Sequence, residues 1–291
     1  MTEPLIFKKE VIPKTLLPII PPPPPQKIQQ QASQEPTHIP QESTHIPQEP
    51  THIPKNLNNT SVIHFLKGKN IFVFDTETTG LPERCPNGWG SHWSYFMNEK
   101  YDSSRIISIA WSAIHNFNQD NQDQIDNSIK NVQHYLRYPE GFTEINNSHI
   151  HGIKYEDTIN NGFILNDLLE KKGLCVDILK ADYIVAHNIG FDYHVLMNEL
   201  YRLGTEHAKA CMLHLSTLYS KKKCICTGEL STEICKLKFN KVSNYKGNKK
   251  SKSFKMPKLS ELYVYYYGKE FENQHSADGD VKALLSIMKK L

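Results

Sequence analysis

Four carboxylates and one histidine, spread over three short segments, have the types and spacing for metal-assisted attack by water. Asp75 and Glu77 stand two apart at the end of the apolar run Ile71–Phe74. A β-strand there projects both side chains from one face. Like charges held that close repel and need a cation between them. The segment offers only oxygen ligands, which suits a hard ion such as Mg²⁺ or Mn²⁺ rather than Zn²⁺. Asp192 closes the second segment, His187-Asn188-Ile189-Gly190-Phe191-Asp192, and the third runs His275-Ser276-Ala277-Asp278-Gly279-Asp280. A histidine five residues ahead of a carboxylate can overhang a metal site without being a ligand. From there an imidazole can take a proton from an attacking water near neutral pH.

These side chains must be placed by regular elements. Tyr183–Ala186 reads as a short buried strand, and Phe191, Val195, Leu196, Leu200 and Leu203 fall at helical spacing. Asp192 therefore lies where a strand hands over to a helix, on the edge where α/β sheets keep their sites. Val281, Leu284, Leu285 and Met288 form a second helical stripe. That stripe puts Asp280 in or near the first turns of a helix and His275 just before it.

In that order, Asp75-x-Glu77, Asp192 and His275-x4-Asp280 resemble the three motifs of the DEDDh 3′-to-5′ exonuclease family. Proofreading epsilon subunits of DNA polymerase III and three-prime repair exonucleases belong to that family. Arg105–Trp111 resembles its second strand, Ile150-His151-Gly152-Ile153 its His-Gly-Ile turn, and Lys258–Leu262 the helix before the last motif. The resemblance implies an α/β, ribonuclease-H-like domain over 68–291, with a mixed five-stranded sheet flanked by helices. Strands are expected near 70–76, 105–113 and 130–137 as antiparallel neighbours, a parallel one at 183–187 and an edge strand near 223–227. Helices are expected near 164–172, 190–203, 207–219, 257–266 and 279–290.

The same resemblance implies hydrolysis of phosphodiester bonds from a 3′ end with two Mg²⁺ or Mn²⁺ ions. Asp75 would bridge both ions. Glu77 and Asp280 would complete the ion carrying the nucleophilic water, Asp192 would hold the second, and His275 would be the general base. Thr78 would offer its backbone N–H to the terminal 3′-OH. His187 and Asn188 would shape the second motif's loop on the substrate side, and packing is the expected role of Phe191. DNA, single-stranded or frayed, is the preferred substrate, with RNA as an alternative that the same five residues could process. An inactive nucleic-acid-binding adaptor is the alternative of another class, and the intact set of carboxylates counts against it.

Composition divides the 291 residues unevenly. Residues 1–60 can build little core: Pro21–Pro25 is a polyproline run, and three copies of a seven-residue unit follow from Gln34 to Pro54. Pro40, Pro47 and Pro54 exclude a coiled coil, so a disordered or extended tail is expected. A peptide-binding module is a candidate partner for its prolines. His38, His45 and His52 repeat within it, and spacer sequence is the default reading of the tail. Glu3, Lys8, Lys9 and Glu10 interrupt any signal-peptide pattern, and no apolar run reaches membrane-spanning length. A soluble intracellular protein with reduced cysteines is expected. Zinc at Cys211, Cys224, Cys226 and Cys235 is disfavoured, because Cys224-x-Cys226 lacks the gap of common zinc knuckles.

The net charge of +3 hides nine lysines and no acid between Lys236 and Lys258. Phe239, Tyr245 and Phe254 punctuate them, as suits a nucleic-acid strand with neutralised phosphates and stacked bases. Lys249 and Lys250 are the candidate substrate contacts there, and a solvated insertion is the competing reading. A second insertion, 83–104, carries Trp89, Trp93, Tyr95, Phe96 and Tyr101. It is either a flap over the terminal nucleotide or a lid packed on the domain, with packing favoured.

Overall fold

The computed structural model describes residues 62–87, 90–238 and 254–291. The 1–60 tail, Trp89, Lys249 and Lys250 lie outside, or in the tail's case before, the described residues. Five strands, β1 (Ile71–Thr78), β2 (Ile106–Ile114), β3 (Gln133–Leu136), β4 (Tyr183–Ala186) and β5 (Cys224–Cys226), form one sheet in the order β3-β2-β1-β4-β5. β1 runs antiparallel to β2, β2 antiparallel to β3, and β4 parallel to both β1 and β5. This is the mixed sheet expected from the sequence.

The helices are α1 (Gln122–Lys130), α2 (Ser148–His151), α3 (Tyr155–Asn161), α4 (Leu165–Glu170), α5 (Leu174–Lys180), α6 (Ile189–Leu203), α7 (Glu206–Ser220), α8 (Thr227–Cys235), α9 (Leu259–Tyr267) and α10 (Ala277–Met288). Five of them, α4, α6, α7, α9 and α10, match the expected spans to within a few residues. α1 fills a segment for which no element was expected, and β3 begins at Gln133 rather than near residue 130. In α1 the Asn121 side chain caps the Gln124 N–H, and Ile125 and Ile129 alone face the core, too thin a stripe to be read as a helix.

Alternation along β1 sorts the core into two layers. Phe72 and Phe74 pack with α4 to α7, whereas Ile71 and Val73 pack with α9 and α10. Val281, Leu284, Leu285 and Met288 are buried on α10, so the helix that carries Asp280 is seated by its apolar stripe. Truncating one of them to alanine would cost about 2–5 kcal/mol.

A buried ionic junction joins three strands' ends to α6. Arg105 donates from Nε to Glu199 Oε1 at 2.8 Å and from Nη2 to Glu140 O at 2.9 Å. Arg137 Nη1 lies 2.7 Å from the same Glu199 oxygen, and the Ile106 N–H donates to it at 3.1 Å. The Arg105 N–H donates to Thr79 Oγ1, and the Thr79 N–H donates back to Arg105 O, both at 2.9 Å. Burial alone would raise the Glu199 pKa, but Arg137 and Arg105 outweigh it and hold the carboxyl below its usual range.

Of the insertion's described aromatics, Trp93, Tyr95 and Tyr101 are packed and Phe96 is exposed. Tyr101 is fully buried and its hydroxyl donates to Trp93 O, while Trp93 and Tyr95 lie against the α6 side of the core. Asn198 donates to Tyr95 O at 2.8 Å, and Arg202 donates to Asp102 Oδ1 at 2.7 Å, which stitches the segment along α6.

Glu199→Gln should destabilise the domain by about 3–5 kcal/mol in urea unfolding, since it leaves two buried guanidinium groups short of their counter-charge. A loss below 1 kcal/mol, on the order of an exposed ion pair, would contradict this. In the wild type the Glu199 contribution is present above the unfolded carboxylate pKa and is lost as pH falls through the depressed folded value.

Candidate active site

β1 ends at a short irregularity between Glu77 and Thr78, and its last residues face both layers of the domain. Asp75 and Glu77 point towards α10, on the Val73 side. Ligand oxygens of Asp75, Glu77 and Asp280 come within 4.8 Å of one another, and no other such group of three exists among the described residues. Asp280 sits in the first turn of α10, as its sequence position suggests. The His275 backbone N–H lies close enough to favour its ionised form, while Asp280 Oδ1 is buried without a hydrogen-bond partner.

Asp192 stands beside this trio, not within its 4.8 Å reach, and comes from the opposite layer, close enough for its charge to act on Asp75 and Glu77. It lies in the first turn of α6, 3 % exposed, and its Oδ1 accepts from the Thr76 N–H at 3.1 Å and Thr76 Oγ1 at 2.7 Å. Thr76 faces α6 because it alternates with Asp75 and Glu77. Reading the acidic residues alone passes over this tether, although a threonine between the two acids is the visible signal for it.

The electrostatics follow from crowding in a partly buried site. Burial, then the charges of Asp192, Asp280 and Glu77, hold Asp75 far above the usual carboxylate range. Burial with Asp280 and Asp192 lifts Glu77 to about 8. Burial lifts Asp192 to about 7 despite the two Thr76 bonds, and Asp280 to about 7 despite the His275 N–H. The trio Asp75, Glu77 and Asp280, one with an orphaned oxygen, fits a hard divalent cation among its members, with Asp192 beside it outside that 4.8 Å group.

His275 is exposed, with a left-handed backbone (φ 62°), immediately ahead of α10. His187 is tied on both ring nitrogens, Nδ1 to Thr227 Oγ1 at 3.0 Å and Nε2 to Pro257 O at 2.9 Å, so it locks the second motif's loop to α8 and the approach to α9. Asn188 caps α6 in a left-handed conformation with its side chain exposed. Thr78 is buried and its hydroxyl donates to Gly80 O at 2.7 Å. Phe191 packs against the core. His151, read from sequence only as part of a turn, lies close enough to the Thr78 backbone and His275 for both to act on its charge.

The cysteines stand apart from this cluster. Burial raises the thiols of Cys211, Cys224, Cys226 and Cys235 above their usual range.

The profile of the exonuclease (RNase T) family matches residues 72–288, which span all three acidic segments. The chain belongs to the exonuclease family. The resemblance to DEDD-type exonucleases of the ribonuclease-H-like superfamily is thereby borne out. Among solved structures, E. coli exonuclease I in complex with a dA16 oligonucleotide is similar at 14 % identity, over 75 % of this chain and 40 % of that one, with a TM-score of 0.45. The same enzyme with a 5cy-dT13 oligonucleotide gives 15 % identity over 76 % of this chain and 39 % of that one, TM-score 0.45. This exonuclease-family chain thus spans well under half the length of those solved proteins. A search of curated protein sequences gives no match. No helix among the described residues is long and apolar enough to cross a membrane.

Because Glu77, Asp192 and Asp280 have folded pKa values raised to about 7–8, their protonated forms favour the fold. That stability is present below the unfolded value of about 4 and is lost as pH rises through the folded values. The metal-free exonuclease should therefore melt at a lower temperature at about pH 9 than at about pH 5, and Mg²⁺ should raise the melting temperature most at the alkaline end. A melting temperature that rises with pH without metal would contradict the crowding.

Proposed function

We propose that the chain is a metal-dependent 3′-to-5′ exonuclease acting on single-stranded or frayed DNA and releasing nucleoside monophosphates. The observation that carries this reading is the close trio of Asp75, Glu77 and Asp280 in a chain of the exonuclease family. Asp75, Glu77 and Asp280 would hold one Mg²⁺ or Mn²⁺, and Asp75 with Asp192 a second. When bound, such ions neutralise the attacked phosphate and polarise the nucleophilic water.

The chain's own groups do the remainder. Thr76 fixes the orientation of the Asp192 carboxylate through two donors on one oxygen. His275 accepts the proton of the attacking water at its imidazole, from a backbone whose N–H lies beside the Asp280 carboxylate. Thr78 presents its backbone to the terminal 3′-OH, and Asn188, with the loop that His187 locks, borders the terminal nucleotide. Lys249 and Lys250 contribute charge along the strand's phosphates.

Incubation of 5′-labelled DNA and RNA oligonucleotides with Mg²⁺, beside Asp75→Ala, tests the proposal. A stepwise ladder on DNA that Asp75→Ala abolishes is expected. A ladder on RNA alone would make the chain an exoribonuclease, and binding without any ladder would make it an adaptor. His275→Ala should lower the rate by a factor of about 10² to 10⁴ with metal and substrate still bound; an unchanged rate removes His275 from the mechanism. Thr76→Val should weaken Mn²⁺ binding about 10- to 100-fold in calorimetry, the range for an outer partner of a metal ligand, and unaltered affinity would dismiss the tether.

A further inference from the structure

The first turn of α10 carries Asp280 and follows directly on His275, and it is gripped from two sides. On the loop side, Ser276 N–H donates to Asn273 O at 3.2 Å, and a Cβ on Gly279 would lie 2.2 Å from that same oxygen. On the sheet side stands Asp278, which is unused in the reaction above although its charge acts on Asp280. Its Oδ1 accepts from Ser276 Oγ at 2.6 Å and its Oδ2 from Lys282 Nζ at 2.6 Å, both on its own segment. The group that reaches it from the sheet is His134 of β3, whose Nδ1 is 3.8 Å from Asp278 Oδ1. His134 Nε2 in turn lies 2.8 Å from the hydroxyl of Ser108, a fully buried residue of β2 paired with Glu77 of β1.

The chain Ser108–His134–Asp278 therefore runs from the strand beside Glu77 to the turn that holds Asp280. With the Asp278 carboxylate facing Nδ1, the ring keeps its proton there and Nε2 accepts the Ser108 O–H. The Ser108 bond holds one side of the ring, and at 3.8 Å the Asp278 step is a close polar contact that a drift of the turn from the sheet would lengthen.

We propose that His134 is a positioning residue of the exonuclease reaction, which sets the distance between the Asp75–Glu77 strand end and the Asp280–His275 turn through Asp278. The inference rests on the functional reading above. A displacement of about 1 Å at a reacting group costs on the order of 10²-fold in rate, so a clamp of this kind acts on turnover rather than on substrate affinity.

The two ring nitrogens can be separated by substitution. Asparagine at 134 keeps a donor near the Nδ1 position, facing Asp278, whereas glutamine keeps only an acceptor near Nε2, facing Ser108. In the full chain with Mg²⁺, His134→Ala should lower kcat about 10- to 100-fold with KM within about twofold. His134→Asn should recover most of the loss, and His134→Gln should not. Hydrogen exchange of the amides of residues 277–282 should quicken in His134→Ala and His134→Gln but not in His134→Asn, which reads the clamp independently of activity. If the wild type is as inactive as Asp75→Ala, the functional reading fails while the exchange measurement still decides the clamp. Wild-type kcat and exchange in His134→Ala, or recovery by glutamine in place of asparagine, would overturn the proposal.

Discussion

Mutual repulsion among Asp75, Glu77, Asp192 and Asp280 is the constraint around which the domain is arranged. Each is at least partly buried, and the charges of Glu77, Asp192 and Asp280 raise the cost of ionising their neighbours. Such a cluster survives only if the elements that carry it are held more firmly than the charges push them apart. The two layers supply that hold in different ways. α10 is seated by an apolar stripe, whereas Asp192 is held by two hydrogen bonds from one threonine.

The site therefore belongs to neither layer alone. Asp75 and Glu77 look towards one side of the sheet, while Thr76 between them recruits the fourth carboxylate from the other. The Arg105–Glu199–Arg137 junction links the beginning of β2 and the end of β3 to the middle of α6, so the helix that brings Asp192 is anchored beyond its first turn. The aromatic insertion lies along the same helix and adds Asn198 and Arg202 contacts to it. Extra chain inserted after the first acidic segment has thus been turned to bracing α6.

Much of this was legible in the sequence because the relevant signals are short-ranged. Asp75 and Glu77 at period two and the helical stripes after Asp192 and Asp280 follow from spacing, while the arrangement of the strands follows from the resemblance that those motifs carry. Other features depend on partners distant in the chain. No local pattern joins Arg105 and Arg137 to Glu199, or His134 to Asp278. α8 begins directly after β5, with the Cys226 thiol as its cap, and a cysteine is not a residue that announces a helix start. His187 was read as bordering substrate, and only the folded chain shows both of its nitrogens engaged by Thr227 and Pro257.

The construction of β1 carries a further consequence. Ile71, Phe72, Val73 and Phe74 are all buried, so the apolar half of the strand is nearly indifferent to which side each residue takes. A slip of one position along its neighbours would exchange the two sides. It would turn Thr76 towards α10 and sink both acids beneath α6. Fidelity of pairing is thus decided in the polar half, where the irregularity after Glu77 and the reciprocal Thr79–Arg105 bonds admit a single alignment. In this protein the correct sheet and the correct chemistry are selected by the same few residues.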